Sequence, residues 1–205
     1  MDATERIYVV DDDEPMRDSL VWLLESKGLR VEACASAETF LERLHDDMHG
    51  CLVLDVRMPG MSGLELFERL SARGVTLPVI FVTGHGDVPM AVSAVKKGAV
   101  DFIEKPFNDA EMLRLIEQCL ETDRKQRASR RQHDAVRQRI ASLTEREREV
   151  MDLVVAGRLN KQIANELGIA MKTVEVHRAR VMDKLGAGSV AELVQLVMES
   201  GERRR

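Results

Sequence analysis

The sequence predicts an α/β doubly wound domain with a five-stranded parallel sheet, followed by a small all-α domain of four helices. Three observations carry this. Apolar runs rich in Val and Ile, without polar alternation, occur at Ile7–Val10, Cys51–Leu54, Val79–Val82 and Val100–Ile103, with a weaker one at Val31–Cys34. Strands buried on both faces of a parallel sheet look like this. Amphipathic stretches lie between them, and alternation of strand with helix implies a doubly wound sheet. From Leu143 onward the periodicity is helical only.

Each element has its own warrant. Leu20, Leu23 and Leu24 share one helical face after the first run, and Phe40, Leu41 and Leu44 share one after the second. Val88, Val92 and Val95 form an i, i+4, i+7 stripe after Asp87, and Met112, Leu115, Ile116 and Cys119 form the last face of this half. Residues 121–141 are polar, without Gly or Pro, and carry seven Lys/Arg against three Asp/Glu. They either continue the preceding helix as a semi-rigid linker or stay partly disordered; Arg, Gln and Ala favour the helix. Thr144-Glu145-Arg146-Glu147 matches a capping box, in which Thr144 and Glu147 satisfy orphan amides reciprocally. Val150, Met151, Val154 and Val155 follow as an apolar face, and Gly157 suits the helix end. Further helices are expected from Asn160 to Leu167, closed by Gly168, from about Met171 to Leu185, and from Ser189 to Glu199. The expected division is therefore 1–121, a linker at 122–140, and 141–205.

The formal net charge of −5 hides an asymmetry. Residues 1–120 carry 12 Lys/Arg against 22 Asp/Glu, whereas residues 121–205 carry 18 against 13. An acidic front and a basic rear suggest two modules, with nucleic acid as a candidate partner for the second. Charge alone is explained as well by solvated surface. The longest apolar run, Leu20 to Leu24, is far too short to cross a bilayer. The opening MDATE has no basic or apolar leader segment, and Cys34, Cys51 and Cys119 fit no metal or redox spacing. A cytoplasmic protein with reduced thiols and no membrane partner is expected.

In a doubly wound sheet, ligands bind beyond the carboxyl ends of the strands. Asp11, Asp12 and Asp13 follow the first apolar run, and Asp55 follows Cys51–Leu54. Carboxylates converging there repel unless they share a proton or hold a cation. An all-oxygen set suits Mg²⁺. Thr83 ends another run and offers a hydroxyl to a phosphoryl oxygen. Lys105, in Glu104-Lys105-Pro106, places a point positive charge at the same rim. Acids, Mg²⁺, hydroxyl and ammonium together make a phosphoryl-transfer site that works by positioning and charge neutralisation. Asp55 would be the nucleophile, forming an aspartyl phosphate.

The motifs DDD-E-P, LDVRMPGMSG, TGHGDVPMAV and FIEKPF resemble the receiver domain of two-component response regulators, over about residues 4–122. The stretch TGHGDVPMAVSAVKKGAVDFIEKPF is especially similar to the FixJ type. The resemblance implies a flavodoxin-like fold with Asp55 as phosphoacceptor, assisted by Thr83 and Lys105. It implies Mg²⁺ held by Asp11, Asp12, Asp55 and the Arg57 backbone carbonyl; Asp13 is not assigned to the metal. Thr83 and Phe102 become the switch pair, although Phe102 also reads as ordinary core. Val92 and Lys96 become a phosphorylation-dependent dimer face, although core packing explains part of that stripe. Arg57 and His85 would flank the path of hydrolytic water. A haloacid dehalogenase-type phosphatase also uses an aspartyl phosphate, but it wants a second Asp two residues after the nucleophile, where this chain has Arg57.

NKQIANELGIAMKTVEVHRARVMDKLGA resembles the helix-turn-helix of the LuxR (NarL) family, and the match extends over about residues 140–199. Ile163, Leu167, Val174, Val181 and Leu185 are expected to face inward, with small Ala164 at the helix crossing and Gly168 at the turn. That leaves Lys172, Thr173, Glu175, Val176, Arg178, Ala179 and Arg180 near the outer face, which in such proteins reads the major groove. Asn160 and Lys161 are candidates for phosphate contacts. Ala170 stands where the family usually has Ser, so a cap on the recognition helix is expected to be missing. Without the resemblance, four amphipathic helices would read equally well as a protein-docking domain. A quorum-sensing regulator would need a ligand cavity in place of the acidic site. The expected function is a phosphorylation-activated transcription factor rather than an enzyme. A sensor histidine kinase would supply the phosphoryl group, and a double-stranded DNA operator would be bound by the phosphorylated homodimer. Contact with RNA polymerase and an activator role rest on the resemblance alone.

Overall fold

The computed structural model describes residues 5–84, 92, 95, 96 and 98–201. The chain divides into two compact units, Met1–Gln126 and Arg127–Arg205. The first holds strands β1 (Arg6–Val10), β2 (Val31–Cys34), β3 (Gly50–Asp55), β4 (Val79–Thr83) and β5 (Asp101–Glu104). Helices α1 (Glu14–Ser26), α2 (Ala37–Arg43) and α3 (Gly63–Ala72) connect them, and α4 (Asp109–Ala141) follows. The sheet is parallel throughout, in the order β2-β1-β3-β4-β5. The chain thus lays β2 on one side of β1 and then returns to place β3 on the other. Such a reversal opens a crevice between the carboxyl ends of β1 and β3.

Strand residues alternate between two cores. Ile7, Val9, Cys51, Val53, Ile80, Val82 and Ile103 pack with Leu20 and Leu24 of α1 and with Met112, Leu115, Ile116 and Cys119 of α4. Tyr8, Val10, Leu52, Leu54 and Phe81 pack on the other face with Phe40 of α2 and with Leu66, Phe67 and Leu70 of α3. Edge-on ring contacts join Tyr8 to Phe40 at 5.8 Å and Phe67 to Phe81 at 5.6 Å. Burying one such side chain contributes about 1.5–3 kcal/mol, so both faces are strongly specified. The runs read as doubly buried strands all contribute strands. Of the helical faces anticipated around them, Leu20, Leu23, Leu24, Phe40, Met112, Leu115, Ile116 and Cys119 are buried, while Leu41 and Leu44 are half-buried.

The helix expected after Asp87 lies largely outside the described residues, as do His85 and Val88. Val92, Val95 and Lys96 are helical; Val92 and Lys96 are exposed, while Val95 packs partly into the second core.

The second unit takes the last turns of α4 together with α5 (Glu145–Val155), α6 (Asn160–Leu167), α7 (Met171–Leu185) and α8 (Val190–Glu199). All residues of the expected linker are helical. The polar composition of 121–141 concealed that Val136 and Ile140 belong to this unit's core, beside Val150, Met151, Ile163, Val174, Val181 and Leu193. Two of its arginines also have local work. Arg137 Nε donates to the Ser200 carbonyl at 2.8 Å, and an Arg139 guanidinium nitrogen donates to the Leu185 carbonyl at 3.3 Å. Both carbonyls end helices, where cations offset the macrodipole.

Candidate functional site

β1 and β3 are neighbours with Val10 opposite Leu54, so Asp11 and Asp55 emerge side by side. Oxygens of Asp11, Asp12 and Asp55 all lie within 4.8 Å of one another. Unit charges about 4 Å apart repel by about 4 kcal/mol at an effective dielectric of about 20, so this cluster needs a cation. Lys105, just beyond β5, supplies one: its Nζ donates to Asp11 Oδ2 at 3.0 Å and to Asp55 Oδ2 at 2.8 Å. Three carboxylates and one ammonium still leave a formal charge of −2, which a divalent cation would balance.

The backbone holds the acids in place. The Asp13 N–H donates to Asp11 Oδ1 at 2.9 Å, and the Arg57 N–H donates to Asp55 Oδ1 at 3.1 Å. Arg17, reaching back from α1, donates to the Asp11 carbonyl at 2.9 Å. Asp11 is buried and Asp12 exposed, so one side of the cluster opens to water. Burial raises the Asp11 pKa above its ordinary value, against the hydrogen bonds from Lys105 and the Asp13 amide. Burial also pulls on Lys105, downward, but its hydrogen bonds to Asp55 and Asp11 leave its pKa raised. An all-oxygen donor set of compensating charge fits Mg²⁺.

Gly63 sets how closely α3 approaches this corner. A Cβ there would stand 2.0 Å from the Asp55 carbonyl oxygen, so only glycine lets the helix start beside the Asp55 backbone. Ser62 and Glu65 then cap α3 reciprocally.

Thr83 lies one strand further on, at the end of β4, and Phe102 two strands on, in β5. Thr83 is fully buried, and its hydroxyl donates to the Gly84 carbonyl at 3.2 Å. The Lys105 N–H donates to the Thr83 carbonyl at 2.8 Å, tying the two strand ends together. Phe102 pairs in register with Phe81 and is half-buried against the second core.

The sequence matches the response regulator receiver domain over residues 7–117 and the luxR family of bacterial regulatory proteins over residues 141–197. The transcriptional regulatory protein FixJ of Azorhizobium caulinodans is 48% identical over 95% of this chain and 92% of its own. FixJ of Bradyrhizobium diazoefficiens is 46% identical over 98% of both chains. The chain belongs to the FixJ-type response regulators. Among solved structures, the response regulator StyR is 49% identical with a TM-score of 0.83, covering 96% of this chain and 100% of its own. Full-length FixJ from B. japonicum is 46% identical with a TM-score of 0.60, covering 98% of both chains. This response regulator therefore joins a receiver to a LuxR-type DNA-binding domain, in a family of phosphorylation-activated transcription regulators whose receivers take their signal from histidine kinases.

In the regulator's second unit, Ile163, Ala164, Val174, Val181 and Leu185 are buried as the helix-turn-helix pattern requires. Gly168 turns the chain at φ +64°, and Ala170, at the N-cap of α7, gives it no side-chain cap. Lys161, Lys172, Thr173, Val176, Ala179 and Arg180 are exposed, while Asn160, Glu175 and Arg178 are half-buried. Pairing among them was not legible in the sequence. Arg178 donates to Asn160 Oδ1 at 2.8 Å, and Lys172 meets Glu175 at 3.0 Å. Arg178 thus links α7 to the start of α6.

A third unforeseen pair lies at the capping box. Glu147 does cap α5 with Thr144, as expected, but its Oε2 also accepts from Lys184 Nζ at 2.7 Å. That hydrogen bond, with the Thr144 amide, lowers the Glu147 pKa to about 2 from 4.5. A depressed carboxylate stabilises the fold above its unfolded pKa, and the stabilisation is lost as pH falls through the folded value. The unit is therefore expected to lose stability between about pH 4.5 and 2 through this pair. Lys184→Met should lower the melting temperature at pH 7 and flatten that acid limb; an unchanged limb in circular-dichroism melts would show that the pair does not set it.

Proposed function

We propose that Asp55 is the phosphoacceptor of this regulator and that Asp11, Asp12, Asp55 and the Arg57 carbonyl hold Mg²⁺. The observation that carries this is the Lys105 ammonium bridging Asp11 and Asp55 at the carboxyl end of the sheet. Bound Mg²⁺ would neutralise phosphoryl oxygens. An Asp55 carboxylate oxygen attacks phosphorus, the bond to the donor's imidazole nitrogen breaks, and the histidine leaves with the electron pair. Lys105 stays beside the new phosphoryl group as a fixed positive charge, and its release from Asp55 Oδ2 matches the gain of phosphoryl oxygens. By family resemblance, Arg57 and His85 tune how long the group survives. The chain's product is a signal rather than a released metabolite.

Thr83 and Phe102 carry the signal onward. A phosphoryl group adds about −1.5 to −2 charge and three acceptor oxygens. It competes with the Gly84 carbonyl for the Thr83 hydroxyl, and Phe102 follows inward. Val92 and Lys96 then form the dimer face, and the helical stretch from residue 122 leads from the receiver into the DNA-binding unit, whose core already takes Val136 and Ile140. Lys172, Thr173, Glu175, Val176, Ala179 and Arg180 enter the major groove; Asn160, Lys161 and Arg178 serve phosphates and helix placement. The protein acts in the cytoplasm as an activator that engages RNA polymerase. Chelation tests the metal: EDTA should stop labelling of the protein by a small phosphodonor, and added Mg²⁺ should restore it. Labelling that survives chelation would refute the metal assignment.

A further inference from the structure

We infer that Glu38 is a positioning residue for the loop 56–62 and, through it, for the Arg57 carbonyl. This rests on the Mg²⁺ reading above. The loop leaves the nucleophile at Asp55 and enters α3 at Gly63. Its two ends are pinned at the sheet. The Val56 N–H donates to the Val82 carbonyl at 2.9 Å, the Arg57 N–H to Asp55 Oδ1 at 3.1 Å, and the Gly63 N–H to the Val56 carbonyl at 3.1 Å. At its tip the anchor comes from elsewhere. Glu38, near the start of α2, accepts the Met61 N–H on Oε1 at 3.0 Å, across 23 residues of sequence.

The same oxygen lies over the neighbouring residue. A Cβ on Gly60 would stand 2.9 Å from Glu38 Oε1, and Gly60 has φ +76°. The positive φ suits glycine, and a bare Cα at 60 leaves the carboxylate room beside the Met61 amide. One side chain from a different helix thus holds the Met61 amide of the loop that carries Arg57. Hydrogen bonds from its own backbone amide and from Met61 hold the Glu38 carboxyl below its ordinary pKa, so the gripping form is the anion. A carbonyl ligand binds metal better when the loop bearing it is held before the metal arrives, and partners that orient ligands are worth about 10–100-fold in metal affinity.

The test is calorimetric titration of Mg²⁺ into the full-length wild type, Glu38→Ala and Glu38→Gln, with amide hydrogen exchange at Met61. Glu38→Ala should weaken Mg²⁺ binding about tenfold and speed exchange at Met61. Glu38→Gln keeps an acceptor oxygen and should stay within about threefold of wild type. Glu38 is exposed, so both variants should fold, with melting as the control. A loss below about threefold in Glu38→Ala, or an equal loss in Glu38→Gln, overturns the positioning role while leaving the Mg²⁺ site intact. A wild type that binds no Mg²⁺ overturns the site itself and the inference with it.

Discussion

Asp55→Asn is expected to abolish phosphodonor labelling while leaving the receiver folded. Asn matches Asp in shape, so the two cores that flank the sheet keep their packing. Only one carboxylate oxygen, the proposed nucleophile, and one negative charge are lost. Lys105 retains Asp11 at 3.0 Å, so its ammonium is not stranded, and breaking a buried pair completely would cost about 3–5 kcal/mol. The melting temperature should therefore move little while incorporated phosphate falls to background. Mass spectrometry of the intact protein checks both the label and its site. Persistent labelling of Asp55→Asn would place the nucleophile on Asp11 or Asp12 and dismantle the assignment of roles.

The second large effect is expected on α7. Val176 is 43% exposed and Lys172 more so, which makes them poor candidates for holding the fold together. Surface substitutions of this kind usually change stability by less than about 0.5 kcal/mol. Their exposure makes sense if the face enters a groove. An apolar side chain can meet a thymine methyl, and lysine can meet guanine or phosphate. Each good base contact is worth about 1–3 kcal/mol of discrimination, so Val176→Ser or Lys172→Ala should weaken operator binding by about 5–150-fold. Lys172→Ala should also reduce the salt dependence, whereas Val176→Ser should not. Titrations of labelled operator at two salt concentrations separate the two, and unchanged affinity in both variants would move recognition off this face.

The sheet was legible because doubly buried strands leave uninterrupted apolar runs, and Asp11, Asp55, Thr83 and Lys105 were legible because each sits at the end of one. Strand order then places them together, and a local pattern becomes a site. The helix ends at Thr144, Gly168 and Ser189 were equally plain, since capping is a short-range affair. What escaped was chemistry between distant segments. Nothing in the sequence around Glu38 announces Met61, and nothing around Lys184 announces Glu147, because each pair joins helices through tertiary packing. The basic stretch 121–141 misled in another way. Its charge looked like solvated linker, yet Val136 and Ile140 are core, and Arg137 and Arg139 serve helix ends. Two apolar residues four apart are too few to show against that charge.

Control of DNA binding by the phosphoryl group on Asp55 is the centre of the account, and one titration reaches it most directly. Operator affinity and sedimentation mass are measured on the same full-length protein before and after treatment with Mg²⁺ and a phosphodonor, with Asp55→Asn in parallel. Coupling between two sites is typically about 5–150-fold, so operator affinity should rise by at least about fivefold as the mass doubles, with no change in Asp55→Asn. Stoichiometric phosphorylation that leaves both affinity and mass where they were would contradict the switch, even with both domains correctly assigned.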